Sequence, residues 1–122
     1  MNLKTLVLTL LATAIGSIAA PTGEVDATRV ASVYMCKDAD WKGQCQHIAA
    51  DNKCHPLEED WKFAVSSIGP DVGVTCAFYL MPNCLFGVQP VGQYKTYKFP
   101  GEANLGNQWN DKFWSFSCYY KP

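Results

Sequence analysis

The chain has 122 residues, 48% of them hydrophobic, and its ten basic and eleven acidic side chains leave a formal net charge of −1. Lysines fall singly from Lys37 to Lys121, so no basic stripe exists for nucleic acid or anionic lipid. Once the first residues are set aside, the remaining length suits one compact domain and excludes two.

Residues 1–19 read as a removable secretory leader. Lys4 supplies the positive start, Leu6 to Ile15 is an apolar run of the right length, and small residues follow at Gly16, Ser17, Ala19 and Ala20. Cleavage after Ala19 sets Ser17 and Ala19 at the recognition positions, whereas cleavage after Ala20 would leave Pro21 beside the scissile bond. The run falls short of the about 20 apolar residues that span a bilayer. A secreted, extracellular protein without a membrane anchor is the expectation. Cleavage leaves 122 − 19 = 103 residues and removes Lys4 alone, so nine basic residues face eleven acidic ones for a net of −2.

Residues 20–29 carry no apolar alternation and are expected to be a flexible or loosely docked arm, with the domain proper spanning 30–122. From there the periodicity is that of strands. Val30 to Cys36 alternates and ends at the polar turn Lys37-Asp38-Ala39-Asp40. Further strands are predicted over Gln44 to Ala50, Ala64 to Ile68, Val74 to Met81 and Tyr94 to Phe99, separated by Gly69-Pro70-Asp71, Pro82-Asn83 and Pro100-Gly101. Pro56 to Phe63, with the acidic turn Glu58-Glu59-Asp60, has room for one or two helical turns at most. Val88 to Gln108 reads as a long hairpin. In the last element a period of two sends Trp114, Phe116, Cys118 and Tyr120 inward and Phe113, Ser115, Ser117 and Tyr119 outward. Many short strands punctuated by Gly and Pro indicate an all-β sandwich or barrel.

The six cysteines, Cys36, Cys45, Cys54, Cys76, Cys84 and Cys118, form an even set behind the leader, and three bridges are expected with their pairing open. A metal site would draw on Cys45, His47, Cys54 and His55, but these lack the tight Cys-x-x-Cys pairs of zinc modules.

A weak internal repeat underlies the strands. One copy runs from Val33-Tyr34-Met35-Cys36 through Trp41 and Gly43 to Val65-Ser66-Ser67-Ile68, the other from Ala77-Phe78-Tyr79-Leu80 past Gly87 to Trp114-Ser115-Phe116. Aligning Tyr34 with Phe78 matches Gly43 to Gly87, with a four-residue insertion before the closing serine. The string from Cys36 through Trp41 and Gly43 to Cys45, then Asp60-Trp61 and the closing serine, resembles a βγ-crystallin Greek-key motif. The resemblance implies a disulfide-stabilised sandwich of two Greek keys. In each, a glycine needs a positive φ in a folded hairpin and a serine hydroxyl braces that hairpin. Trp41, Gly43, Ser67, Gly87 and Ser115 match the pattern, while Cys36 stands for an aromatic in the first copy, and Leu80 and Leu85 do so in the second.

The same resemblance implies calcium binding in some members, through an Asn/Asp pair, two variable residues, Ser or Thr, and a final Ser. Lys62-Phe63 replaces the pair in the first copy. Asn110 and Asp111 supply it in the second, where Trp114 fills the hydroxyl position. No metal or other cofactor is therefore expected. Catalytic signatures are missing from the sequence, and two histidines are a small supply of bases near neutral pH. The expected function is non-enzymatic binding of a protein or glycan target by a monomer, without nucleic acid or membrane partners. Tyr94, Tyr97 and Phe99 are the candidate contact residues, with packing against the sheet as their alternative role. A structural or stress-durability protein without a specific ligand is the other class. Small secreted fungal proteins, killer toxins and proteinase inhibitors of this fold are the relatives that the resemblance implies.

Overall fold

The computed structural model describes residues 24–25, 29–84 and 92–122. The expected leader, much of the arm, and Gly87 lie outside the described residues. Among the described residues seven strands form: β1 (Ser32–Asp38), β2 (Lys42–Ala49), β3 (Cys54–Pro56), β4 (Ser67–Pro70), β5 (Val74–Tyr79), β6 (Tyr94–Lys98) and β7 (Ser115–Tyr120). No helix occurs among the described residues, and none is therefore long and apolar enough to cross a membrane.

The strands make two antiparallel sheets, ordered β2-β1-β4 and β3-β7-β5-β6. Strand β3 leaves the first motif and pairs with β7 of the second. Its counterpart is the bridge between Ile68 on β4 and Glu102, by which the second motif reaches back to the first sheet. This exchange joins the two motifs into one domain, because the second sheet includes a strand from the first motif and the first sheet receives a bridge from the second.

Inward residues of both sheets meet in one core. Val33 and Met35 come from β1, Ile68 from β4, Val74, Cys76 and Phe78 from β5, Tyr97 from β6, and Phe116 and Cys118 from β7. Phe78 stacks on Phe116 at 5.0 Å between ring centroids and tilts against Phe113 at 5.3 Å. Loop residues Leu57, Trp61, Val65 and Leu105 close the core at the ends of the strands.

Three elements depart from the sequence reading. The strand expected at Ala64 to Ile68 begins only at Ser67, because Phe63 takes a left-handed φ of 62° and Ala64 to Ser66 form a loop that sinks Val65 into the core. Strand β3 is too short to show an alternation and goes undetected in sequence. In the last element Phe116 and Cys118 point inward as expected, but Phe113 is fully buried and Tyr120 is 40% exposed. The period of two fails at Phe113 because pairing starts two residues later, at Ser115. The segment before β4 makes a single turn, in which Trp61 N and Lys62 N both donate to Glu58 O.

Every cysteine is bridged. Cys36–Cys45 joins facing positions of β1 and β2, Cys76–Cys118 joins facing positions of β5 and β7, and Cys54–Cys84 ties β3 to the hairpin that follows β5. No cysteine thiol is left for a metal, so the alternative use of Cys45 and Cys54 with His47 and His55 is excluded.

Strand pairing also corrects the repeat. Cys36 faces Ser67 across β1 and β4, and Tyr79 faces Ser115 across β5 and β7, so Cys36 corresponds to Tyr79, an offset of 79 − 36 = 43. The closing serines differ by 115 − 67 = 48. The insertion is thus five residues. Met35, rather than Tyr34, matches Phe78.

Candidate functional site

The serines occupy equivalent seats. Ser67 Oγ donates to Asp38 O at 2.6 Å and accepts from Trp41 N at 3.3 Å; Ser115 Oγ donates to Met81 O at 2.5 Å and accepts from Cys84 N at 3.1 Å. In both motifs the hydroxyl pins a hairpin folded over the sheet through two backbone groups three residues apart. Trp41 and Cys84, which donate those bonds, share a left-handed backbone, with φ of 63° and 53°. Gly43 has a φ of 76°, so its conformation favours glycine, and a Cβ there would also push aside the exposed Asp38 side chain, whose Oδ2 it would meet at 2.5 Å. The corrected register places Tyr79 and Cys84 where Cys36 and Trp41 stand in the first motif, in place of the expected Leu80 and Leu85. Each motif therefore keeps one aromatic and one cysteine at these two positions, in opposite order.

The candidate contact aromatics separate. Tyr97 is 2% exposed, packs edge-on against Phe78 and Phe113, and belongs to the core. Its buried hydroxyl has no hydrogen-bond partner among the described residues, and burial, assisted by the charge of Glu102, raises its pKa strongly. Tyr94 points to the opposite face of β6 and stacks on Tyr79 at 5.6 Å. Phe99, just past β6, is 43% exposed.

Tyr94 belongs to a surface that the sequence reading captured only in part. Outward residues of β5, β6 and β7 form three rows: Lys98, Thr75 and Tyr119; Thr96, Ala77 and Ser117; and Tyr94, Tyr79 and Ser115. Ala77 is the smallest side chain at the centre, so the face dips into a trough of about 400 Å³ lined by Thr75, Thr96 and Ser117 with tyrosines at either end. Tyr119 is 49% exposed. The missed members, Tyr119 and Thr75, lie at outward positions of their strands, a signal present in the alternation of β7 and β5.

A serine, a histidine and an aspartate also come together. Asp71, buried, takes a two-point ion pair from Arg29 at 2.7 and 3.1 Å and accepts from Ser32 N at 2.7 Å and Ser32 Oγ at 3.2 Å. His47 Nδ1 lies 3.2 Å from the same hydroxyl. The carboxylate contacts the serine rather than the imidazole, and Ser32 is itself buried, so the cluster lacks the orientation of a nucleophile, base and orienting acid. It anchors the end of the arm instead, and Val25 also packs against the core. Burial holds the His47 pKa below its ordinary 6.5; Arg29 adds to that lowering and Asp71 opposes it.

Neither a family model nor a curated protein sequence matches this chain. Solved structures do. A βγ-crystallin domain from Flavobacterium johnsoniae superposes with a TM-score of 0.58 at 18% identity, covering 73% of this chain and 94% of that one. A βγ-crystallin domain from Clostridium beijerinckii gives 0.56 at 20% identity, over 72% and 97% of the two chains. The N-terminal domain of Protein S gives 0.57 at 15% identity, over 75% and 99%. The fold is that of a βγ-crystallin domain. At these identities the likeness establishes architecture alone.

Within this βγ-crystallin fold the candidate calcium residues divide between the motifs. Ser66 Oγ of the first motif donates to Asp111 Oδ1 of the second at 3.2 Å. Adding 48 to 63 and 66 gives 111 and 114, so the equivalent corner holds Phe63 and Trp114, whose rings meet edge-on at 5.4 Å with the Lys62 ammonium 5.4 Å from the Trp114 ring. The backbone is the same at both corners: Asp111 N donates to Val65 O and Phe63 N to Phe113 O, with φ of 59° and 62°. One corner thus offers one carboxylate and one hydroxyl, and the other offers no side-chain oxygen. Asn110 sits in the turn, where its N–H donates to Gly106 O. A hard cation takes about six to eight oxygens. These residues do not fit it.

Proposed function

We propose that this protein is a secreted, monomeric, non-enzymatic binding module that recognises a glycan through the outer face of β5, β6 and β7. One observation carries the reading: Tyr94 and Tyr119 stand at diagonally opposite ends of a shallow trough whose lining is small and hydroxyl-bearing. Aromatic rings offer flat apolar faces to the C–H faces of sugars, and threonine and serine hydroxyls both donate to and accept from sugar hydroxyls. The two ends are four residues apart along the strands, about 13 Å at the rise of an extended chain, enough for a short run of sugar rings. Three bridges hold the surface rigid, and such bridges suit an oxidising, extracellular setting.

A glycan array probed with the secreted protein tests this. Binding to one or more glycans, lost in both Tyr94→Ala and Tyr119→Ala, is the expected result. Undiminished binding by both variants would overturn the assignment of this face. Silence across the whole array would favour the structural, durability role. Intact mass under non-reducing alkylation accompanies the array, with a chain starting at Ala20 and no labelled thiol expected.

A further inference from the structure

The glycan reading leaves open which kind of sugar chain the trough takes, and the distribution of charge around it narrows the choice. At its Tyr119 end the trough opens into a second groove of about 490 Å³, and the two share Thr75, Lys98 and Tyr119 as lining. Lys98 lines this groove from β6 and Lys121 from the residue after β7, so the two residues flank it from opposite sides of β5. Val72 and Phe99 supply apolar walls.

Among the described residues no Asp or Glu lines either groove. That contrasts with a chain in which acidic residues outnumber basic ones, eleven to ten. Three lysines are paired with carboxylates, Lys37 with Asp60, Lys62 with Glu59 and Lys95 with Glu102, while Lys42, Lys53 and Lys112, which line neither groove, have no such partner among the described residues. Lys98 and Lys121 have no carboxylate partner among the described residues. Two unneutralised cations therefore sit at one end of a surface whose other end carries stacking aromatics. A neutral sugar chain would use the tyrosines and leave both ammonium groups unanswered. A chain bearing carboxylates would satisfy both ends.

We infer that the outer face of the second sheet binds an acidic, uronate-bearing polysaccharide, stacking its rings on Tyr94 and Tyr119 and placing a carboxylate between Lys98 and Lys121. This rests on the glycan reading above and adds the ligand's charge. The ammonium groups are exposed, so the attraction is screened by salt and weakens as ionic strength rises.

Polygalacturonate is the probe, with its fully methyl-esterified form as a control that keeps the backbone and removes the charge, and dextran as an unrelated neutral chain. Affinity electrophoresis and titration calorimetry should show binding to polygalacturonate at 50 mM salt that falls at least about tenfold at 500 mM, as expected for exposed charges. Esterified polymer should bind about tenfold more weakly or not at all, and the double variant Lys98→Gln/Lys121→Gln should lose about five- to tenfold toward polygalacturonate alone, within the range for two exposed ion pairs. A measurement on the wild-type protein avoids dependence on the variants: bound oligogalacturonate should shield Lys98 and Lys121, but not Lys42 or Lys53, from amine acetylation read by mass spectrometry. Equal binding of the acidic and esterified polymers, with loss on Tyr94→Ala, would overturn the charge inference and leave the glycan reading standing. Acetylation of Lys98 and Lys121 unchanged by saturating oligogalacturonate would overturn the placement. Failure to bind any of the polymers, together with a silent array, would overturn both readings.

Discussion

The two Greek keys, Ser32 to Pro70 and Val74 to Tyr120, share a backbone and differ in what they hang on it. Both fold a hairpin over the sheet, pin it with a serine, and turn through a left-handed residue before the last strand. The side chains at matched places differ sharply: Cys36 and Trp41 against Tyr79 and Cys84, and Phe63 against Asp111. The comparison teaches that backbone hydrogen bonds and positive-φ turns define the motif, while the plugs that fill its corners can be exchanged for bridges or aromatic pairs. The second motif's outer face along β5, β6 and β7 is where the residues proposed to bind collect.

The largest expected effects come from the bridges. Replacing both cysteines of Cys76–Cys118, 42 residues apart, should cost about 4 kcal/mol, against about 2.6 kcal/mol for Cys36–Cys45, 9 residues apart, if restriction of the unfolded chain dominates. Denaturant midpoints of the two double variants give the ranking, and the reverse order would show that the first motif depends more on its bridge in the folded state.

Next come the crossings between sheets. The first motif crosses as a three-residue strand, the second as one bridge at Glu102, pressed close enough that a Cβ on Gly101 would strike Ile68 O and approach Gly69 Cα at 2.7 Å. Gly101→Ala should lose about 2–4 kcal/mol, combining left-handed strain with overpacking. Gly106→Ala, with φ of 81° and open space around it, should lose only the strain, about 1 kcal/mol. Thermal unfolding of the two separates the terms.

The serine seats should behave as a matched pair. Ser67→Ala and Ser115→Ala each remove two bonds from partly buried backbone groups, a carbonyl and an N–H, so each should cost about 1–3 kcal/mol. A difference well beyond that range would mean that one hairpin is held by something other than its serine, with Cys54–Cys84 the obvious prop in the second.

Tyr97→Phe removes a buried hydroxyl without a partner, and unfolding should show it neutral or about 1 kcal/mol more stable, with glycan binding unchanged. Loss of binding would return Tyr97 to the contact surface. The smallest effect is one of pH. The folded state holds the His47 pKa below 6.5, so the unfolded chain binds the proton more readily, and stability present above that value should decline as pH falls through it. His47→Gln should flatten that part of the profile, and an unchanged slope would assign the decline elsewhere.

Much of the architecture is legible in the chain. Alternation located β1, β2, β5, β6 and most of β7, because a half-buried strand must separate its two faces. Spacing of Trp41, Gly43 and Ser67 indicated the folded hairpin, since left-handed backbone and a short hydroxyl are local needs written in single residues. Strand β3 escaped because three residues carry no period. Tyr97 and Tyr94 looked alike in sequence, and only the pairing register of β6 sends one into the core and the other to the trough.

What the sequence by itself determined is local: turns, faces and the presence of cysteines in an even number. Tertiary structure alone decided which cysteines join, that Asp111 meets Ser66 while Phe63 meets Trp114, and that Lys98 and Lys121 flank one groove. Apart from Cys36–Cys45 within one hairpin, each of those brings together residues far apart in the chain through strand pairing or the packing of one motif on the other, and no window of neighbouring residues contains the information.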